Sequence, residues 1–262
     1  MRFSCFICYK FVSIELKEVF NLKGIILAAG RGSRMKKLTD KKPKCLVEIN
    51  GKSLLERQLN SFYKSGINEI AIVTGYRSEM LSSFNLVEFH NPNWATTQMV
   101  ASLACASKWL EEEICIISYA DIFYENSAIE SLKKCHSDIA IAYSPNWLSL
   151  WQTRFSNPLD DAETFCVGDD NNLLEIGKKP KIISEIQGQY MGLLRFTPNG
   201  WNEFNKTRNL ILEKKRNAFD MTMTLQFFLE NSFMPIKAVP FEGKWGEVDS
   251  ESDLRQYIIN ND

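Results

Sequence analysis

Unbroken apolar runs recur along the chain at Gly24–Gly30, Ile70–Thr74, Ile114–Ile117 and Ile139–Tyr143. Each has the length of a strand and the character of one buried on both faces, as in a parallel sheet. Between the runs the spacing of apolar residues becomes helical. Leu55, Leu59 and Phe62 recur at i, i+4 and i+7. Ser53-Leu-Leu-Glu56 ahead of them predicts a capping box, and Gly66 predicts the helix stop. Met99, Leu103, Ala106 and Leu110 predict a second helix with one continuous face. Ser127-Ala-Ile-Glu130 predicts another capping box, opening a short helix. Strands alternating with helices predict an α/β fold with a mixed, mainly parallel sheet flanked by helices.

Beyond residue 145 the texture changes. Trp147 and Trp151 stand in a polar stretch, and acidic turns follow at Asp160-Asp161 and Asp169-Asp170-Asn171-Asn172. Tyr190–Phe196 predicts a strand, 219–230 a helix and Ile236–Val239 a late strand. Ser250-x-x-Asp253 opens a terminal helix carrying Leu254, Tyr257 and Ile258. With no internal repeat and no Pro/Gly/Ser-rich linker, residues 22–262 read as one domain with a second-half elaboration. Residues 1–21 read as an N-terminal extension. Lys10, Glu15, Lys17 and Glu18 interrupt its apolar character and no small-residue cleavage site follows, which argues against a signal peptide. No stretch reaches the roughly 18 apolar residues of a membrane span.

Composition narrows the classes. Apolar residues are 45% of the chain and charged residues 24%, which is ordinary for a globular protein. The 31 basic and 32 acidic residues leave a net charge of -1, without the basic excess of a nucleic-acid binder. The seven cysteines, at 5, 8, 45, 105, 115, 135 and 166, lack the spacing of a disulfide framework. They predict free thiols in a reducing cytoplasm. Cys5-x-x-Cys8 has no second pair or suitably spaced histidines to complete a zinc site.

The charge is nevertheless focused in one place. Residues 31–44 hold seven Lys/Arg and one Asp, directly after Gly30 at the end of the first strand. Ligands bind at the carboxyl ends of strands in open α/β sheets, and glycines there let backbone N–H groups cradle phosphate oxygens. A basic loop at that point suits a small polyanion such as a nucleoside triphosphate. A dinucleotide fingerprint would need glycine where Met35 stands, and a Walker A loop would need one in place of Leu46 ahead of Gly51-Lys52-Ser53.

Leu27-Ala-Ala-Gly-Arg-Gly-Ser-Arg-Met35, followed by Pro43-Lys-Cys-Leu46, resembles the nucleotidyltransferases that activate phosphorylated metabolites. The likeness continues through Gly75-Tyr76, Ser118-Tyr-Ala-Asp121 and Trp245-Gly-Glu-Val-Asp249, and covers residues 22–258. It implies the Rossmann-like nucleotidyltransferase fold. It also implies a reaction in which an acceptor phosphate oxygen attacks the α-phosphorus of a nucleoside triphosphate and pyrophosphate leaves. No protein nucleophile is needed, in keeping with only two histidines, His90 and His136. By resemblance, Arg34 and Lys44 are the catalytic cations. Leu27, Ala28, Ala29, Gly30, Gly32, Gly75, Tyr76, Ser102 and Ala120 are expected to hold the nucleotide. Asp121 and Asp249 are expected to hold Mg²⁺, a hard cation that prefers oxygen ligands.

Asn91–Leu103, Trp151–Glu163 and Ile186–Gly192 resemble the cytidylyltransferase branch, most of all the enzymes that couple CTP to L-glutamine phosphate for capsular phosphoramidate. Phosphocholine and aminoethylphosphonate enzymes are relatives. Gly177-Lys-Lys-Pro180 and Gly188–Gly192 depart from the E-K-P and N-A-G-x-Y segments of the sugar branch. On the acceptor side, Lys178 and Lys179 are expected to meet the phosphate, Glu185 an ammonium and Arg154 a carboxylate. Trp147, Trp151, Tyr190 and Trp245 read either as an aromatic cage for a quaternary ammonium or as core and rim aromatics. The alternatives are a sugar-1-phosphate nucleotidyltransferase and a non-catalytic nucleotide-binding subunit. The latter would have lost a metal aspartate or the phosphate lysine. The expected assembly is a monomer or homodimer, with no nucleic-acid or membrane partner.

Overall fold

The computed structural model describes residues 21–259, so Cys5, Cys8 and the extension up to residue 20 lie outside the described residues. Its first strand, β1 (Leu22–Leu27), shows why a central strand is apolar throughout. Ile25 and Leu27 pack into one layer, and Ile26 and Ala28 into the opposite one. The other strands of the main sheet are β2 (Ile70–Thr74), β3 (Val87–His90), β4 (Ile114–Tyr119), β5 (Ile139–Ser144), β6 (Gln189–Phe196) and β7 (Ile236–Pro240). Their order is β7-β5-β6-β4-β1-β2-β3. Every neighbouring pair is parallel except those of β6, which runs antiparallel between β4 and β5. The sheet is thus mixed and mainly parallel.

The helices are α1 (Leu54–Lys64), α2 (Met99–Ala104), α3 (Ser107–Glu112), α4 (Asn126–Lys133), α5 (Trp147–Arg154), α6 (Pro198–Arg208), α7 (Glu213–Arg216), α8 (Met221–Asn231) and α9 (Glu251–Ile259). Leu55, Leu59 and Phe62 of α1 and Ala128, Ile129 and Leu132 of α4 bury one face of the sheet. Residues of α2, α3, α6 and α8 bury the other, centred on Trp201, Phe204 and Phe228. Each fully buried large side chain contributes about 1.5–3 kcal/mol from burial.

The α1 capping box forms as expected. Ser53 Oγ accepts from the Glu56 amide at 3.2 Å, and Glu56 accepts from the Ser53 amide at 2.7 Å. Gly66, at φ +74°, ends the helix. Two expectations are corrected. The helix predicted over Met99–Leu110 is two short ones: the amides of Cys105 and Ala106 bond to the carbonyls three residues back, at 3.0 and 2.9 Å, and Ala106 at φ -93°, ψ 15° leaves the helical conformation. Ser127 does not cap α4. That helix starts at Asn126, with Glu125 at the cap position and no side-chain cap, so Ser127 falls inside the first turn.

This topology positions a crevice. From β1 the chain moves to β2 on one side, and later returns to β4 on the other. The carboxyl ends of β1 and β4 therefore part where the strand order reverses, the place where open α/β sheets bind ligands. A short antiparallel pair, Trp245–Glu247 with Ile122–Tyr124, brings the late segment back beside the end of β4. Met35, Val47, Ile49, Leu54 and Val248 form a small core beneath it, tying the basic loop to that segment. Among the described residues, no helix is long and apolar enough to cross a membrane. Cys45, Cys105, Cys115, Cys135 and Cys166 are free thiols.

Candidate active site

A cleft of about 280 Å³ opens at the parted ends of β1 and β4. Leu27, Ala28, Ala29, Gly30, Gly32, Ser102 and Ala120 line it, together with Arg34, Lys44 and Asp121. The two loop glycines answer different demands. Gly32 sits at φ +70°, and a Cβ there would lie 2.8 Å from the Lys44 side chain. Gly30 would clash with nothing within 4 Å, so the fold does not require glycine there. Its missing side chain keeps open the approach from the cleft.

Gly75 and Tyr76, expected beside the nucleotide, do not line the cleft but pack against the loop that does. The Tyr76 amide donates to the Ala29 carbonyl at 2.9 Å, and its hydroxyl donates to the Asp40 carbonyl at 2.7 Å. They brace the loop from behind. Trp94, Thr97, Gln98 and Met99 line the cleft instead. Asn91 orders this wall by donating to Thr97 and Ser102 hydroxyls at 3.0 and 2.9 Å.

A second cleft, of about 210 Å³, adjoins the first and shares Arg34, Met99 and Tyr119 with it. Carboxylates dominate it: Asp161, Glu163, Asp220, Glu247 and Asp249. At the junction, Lys44 Nζ donates to Asp121 Oδ2 at 2.8 Å and also to Asp249 Oδ1. Arg34 Nη1 lies 2.9 Å from Asp249 Oδ2. Burial opposes the charge on Lys44, but Asp121 and Asp249 more than offset that and raise its pKa. Burial likewise opposes the charge on Asp249, and Lys44 overrides it, lowering the pKa.

One oxygen each of Asp121, Glu247 and Asp249 lie within 4.8 Å of one another. Asp121 Oδ1 is buried without a hydrogen-bond partner. Three hard oxygen donors and an unsatisfied carboxylate oxygen fit a divalent cation such as Mg²⁺. Glu247 was not anticipated; within Trp245–Asp249 it reads as an ordinary strand residue until pairing with the distant segment Ile122–Tyr124 brings it beside Asp121.

The acceptor expectations fare differently. Tyr190 lines the second cleft. Lys178 instead pairs with Glu175 at 2.7 Å, and Lys179 donates to the carbonyls of Leu159 and Asp160. Glu185 accepts from the amides of Lys181 and Ile182, at 2.6 and 3.4 Å. None of these three lines either cleft. The Arg154 side chain is buried among Glu247, Asp249 and Asp253 and lines neither cleft. The aromatic residues divide between core and cleft. Trp147 and Trp151 are buried together, Trp147 donates to the Ile186 carbonyl at 3.2 Å, and Trp245 packs against Trp151. Only Trp151 and Tyr190 of the four reach the cleft.

Asp161, Glu163 and Asp220 are the cleft residues that the sequence concealed. Asp220 caps α8 by accepting from the Met223 amide at 2.9 Å. Thr222 Oγ1 stands 3.2 Å from both Asp220 Oδ1 and Glu163 Oε1. Burial, and next the Asp220 carboxylate, push the Glu163 carboxyl up to about 7.

Comparison with known proteins agrees with this geometry. Residues 24–163 match the model of the MobA-like NTP transferase domain. A CTP:phosphoglutamine cytidylyltransferase of Campylobacter jejuni is 36% identical over 253 residues, covering 90% of this chain and 99% of the relative. Among solved structures, the CTP:phosphocholine cytidylyltransferase of Streptococcus pneumoniae superposes with a TM-score of 0.69 at 21% identity, covering 93% of this chain and all of that one. The inositol-1-phosphate CTP transferase of T. maritima gives 0.69 at 20%, covering 92% and 97%. At those identities the two structures speak for the fold. The family match and the relative at 36% identity identify the chain as a member of the MobA-like NTP transferase family and a nucleotidyltransferase.

Proposed function

We propose that this protein is a cytidylyltransferase that transfers CMP from CTP to L-glutamine phosphate. The observation that carries the reading is the pair of adjoining clefts bridged by the ion cluster of Asp121, Lys44 and Asp249. The first cleft presents backbone, glycines and cations to a triphosphate. The second is acidic and suits an acceptor whose head group carries an ammonium. The similarity to the Campylobacter relative over nearly its whole length supports the same pair of substrates.

In the reaction, a phosphate oxygen of the acceptor forms a bond to the α-phosphorus. The bond from that phosphorus to the bridging oxygen breaks, and pyrophosphate leaves with the electron pair. Two polyanions must approach one another, so positioning and fixed positive charge do the catalysis. Lys44, released from its carboxylates toward the phosphates, and Arg34 offset the charge that builds on the non-bridging oxygens. Asp121 and Asp249, with Glu247 beside them, would hold Mg²⁺, which supplies charge neutralisation and alignment of the phosphates. Gly30 and Gly32 let the backbone approach the nucleotide. In the second cleft, Glu163, Thr222 and Asp220 offer acceptors that match the three N–H donors of a primary ammonium.

Pyrophosphate release tests the proposal, with five nucleoside triphosphates crossed against L-glutamine phosphate, aminoethylphosphonate, phosphocholine and glucose 1-phosphate. The expected result is release with CTP and L-glutamine phosphate, abolished by Asp121→Ala. Turnover confined to glucose 1-phosphate would replace this reading with a sugar nucleotidyltransferase.

A further inference from the structure

The Arg154 guanidinium is the most fully buried charge near the site, with its side chain 1% exposed. Nη1 donates to Glu247 Oε2 at 2.8 Å, Nε donates to Asp253 Oδ1 at 3.0 Å, and Nη2 lies 3.9 Å from Asp249 Oδ2. The Trp151 and Phe155 rings flank it, with centroids at 5.2 and 5.1 Å. Asp253 in turn accepts from the amides of Asp249 and Ser250 at 3.0 and 2.9 Å. One cation therefore grips both ends of the segment 247–253, with Asp249 between them. Without it, three carboxylates would face one another in a buried space, and removing one member of such a set leaves uncompensated charge.

We propose that Arg154 is a positioning residue for the metal carboxylates. Acting through Glu247 and Asp253, it holds Asp249 opposite Asp121 at the separation a divalent cation requires. Its side chain is absent from the lining of both clefts. This rests on the reading that Asp121 and Asp249 hold the cation. Residues that orient metal ligands typically govern affinity by about 10–100-fold.

The test is a Mn²⁺ titration followed by electron paramagnetic resonance, on the full chain with CTP present, for wild type, Arg154→Lys, Arg154→Met, Asp253→Asn and Asp249→Asn. Steady-state constants for Mg²⁺ and for L-glutamine phosphate run alongside. Arg154→Met should bind Mn²⁺ about tenfold more weakly and need correspondingly more Mg²⁺ for half-activation, with the acceptor KM within about twofold of wild type. Arg154→Lys should recover part of the affinity. Asp253→Asn removes the other end of the clamp and should reproduce the loss, so the proposal stays testable if Arg154→Met fails to fold. Unchanged Mn²⁺ affinity in folded Arg154→Lys and Asp253→Asn overturns it. So does a rise confined to the acceptor KM, which would make Arg154 an acceptor ligand after all. If Asp249→Asn binds Mn²⁺ like wild type, the underlying metal reading falls instead, and the proposal with it.

Discussion

Glu163 concentrates the electrostatics of the acceptor cleft in one carboxyl. Its folded pKa, about 7, is raised from the ordinary 4.5. A raised carboxyl pKa favours the neutral form in the native state. The contribution to stability is therefore kept below the unfolded value and lost as pH rises through about 7. An acceptor ammonium reverses that preference, because it pairs with the ionised form. We expect kcat/KM for L-glutamine phosphate to rise as pH increases from about 6 to 8, with Glu163→Gln flattening the rise and increasing the acceptor KM. Comparing the two profiles separates this from titration of the acceptor's own phosphate, which is the same in both proteins. A profile unchanged by the substitution would remove Glu163 from acceptor recognition. Glu163 and Asp220 were illegible as site residues because an acid in a turn or at a helix cap looks like any other until distant segments meet. Arg154 was legible as important, yet its partners lie 93 and 99 positions away, so its role was not.

At the scale of elements, β1, β2, β4 and β5 were readable because each is an apolar run buried on both faces, and β6 and the edge strand β7 because apolar residues still predominate in them. β3 was not, since it lies at the sheet edge with Val87, Glu88 and His90 exposed and carries no such signature. α5 was hidden for the opposite reason. Its tryptophans are buried, but against Ala162 and Ile186 rather than against the sheet, so no amphipathic stripe marks them. The nucleotide loop was legible because strand, glycines and charge are contiguous there. The acceptor side was not, because it is assembled from α5, the acidic turns, β6 and the start of α8. The α1 cap isolates the energetic worth of one local signal. Ser53→Ala should destabilise the protein by about 1 kcal/mol in urea unfolding, with turnover per folded molecule unchanged, because Ser53 lines neither cleft. A loss of activity without loss of stability would contradict that separation.

For the whole molecule, the region matched by the family model ends at residue 163, before β6 begins. β6 is the strand that joins the two parallel portions of the sheet, with Leu193 opposite Ser118 of β4 and Phe196 opposite Ile139 of β5. A fragment ending at residue 163 should therefore leave one edge of β4 unpaired and precipitate or elute as aggregates in gel filtration. A monomeric, cooperatively unfolding fragment would show that β6 is dispensable. The same strand has a consequence on the ribosome. Leu193 is synthesised 75 residues after its partner Ser118 (193 minus 118), which at about 5–20 residues per second is a delay of about 4–15 s. Throughout that interval the nascent chain carries a nucleotide loop already complete in sequence beside an open, sticky strand edge. The edge of β4 closes only when this late strand is inserted.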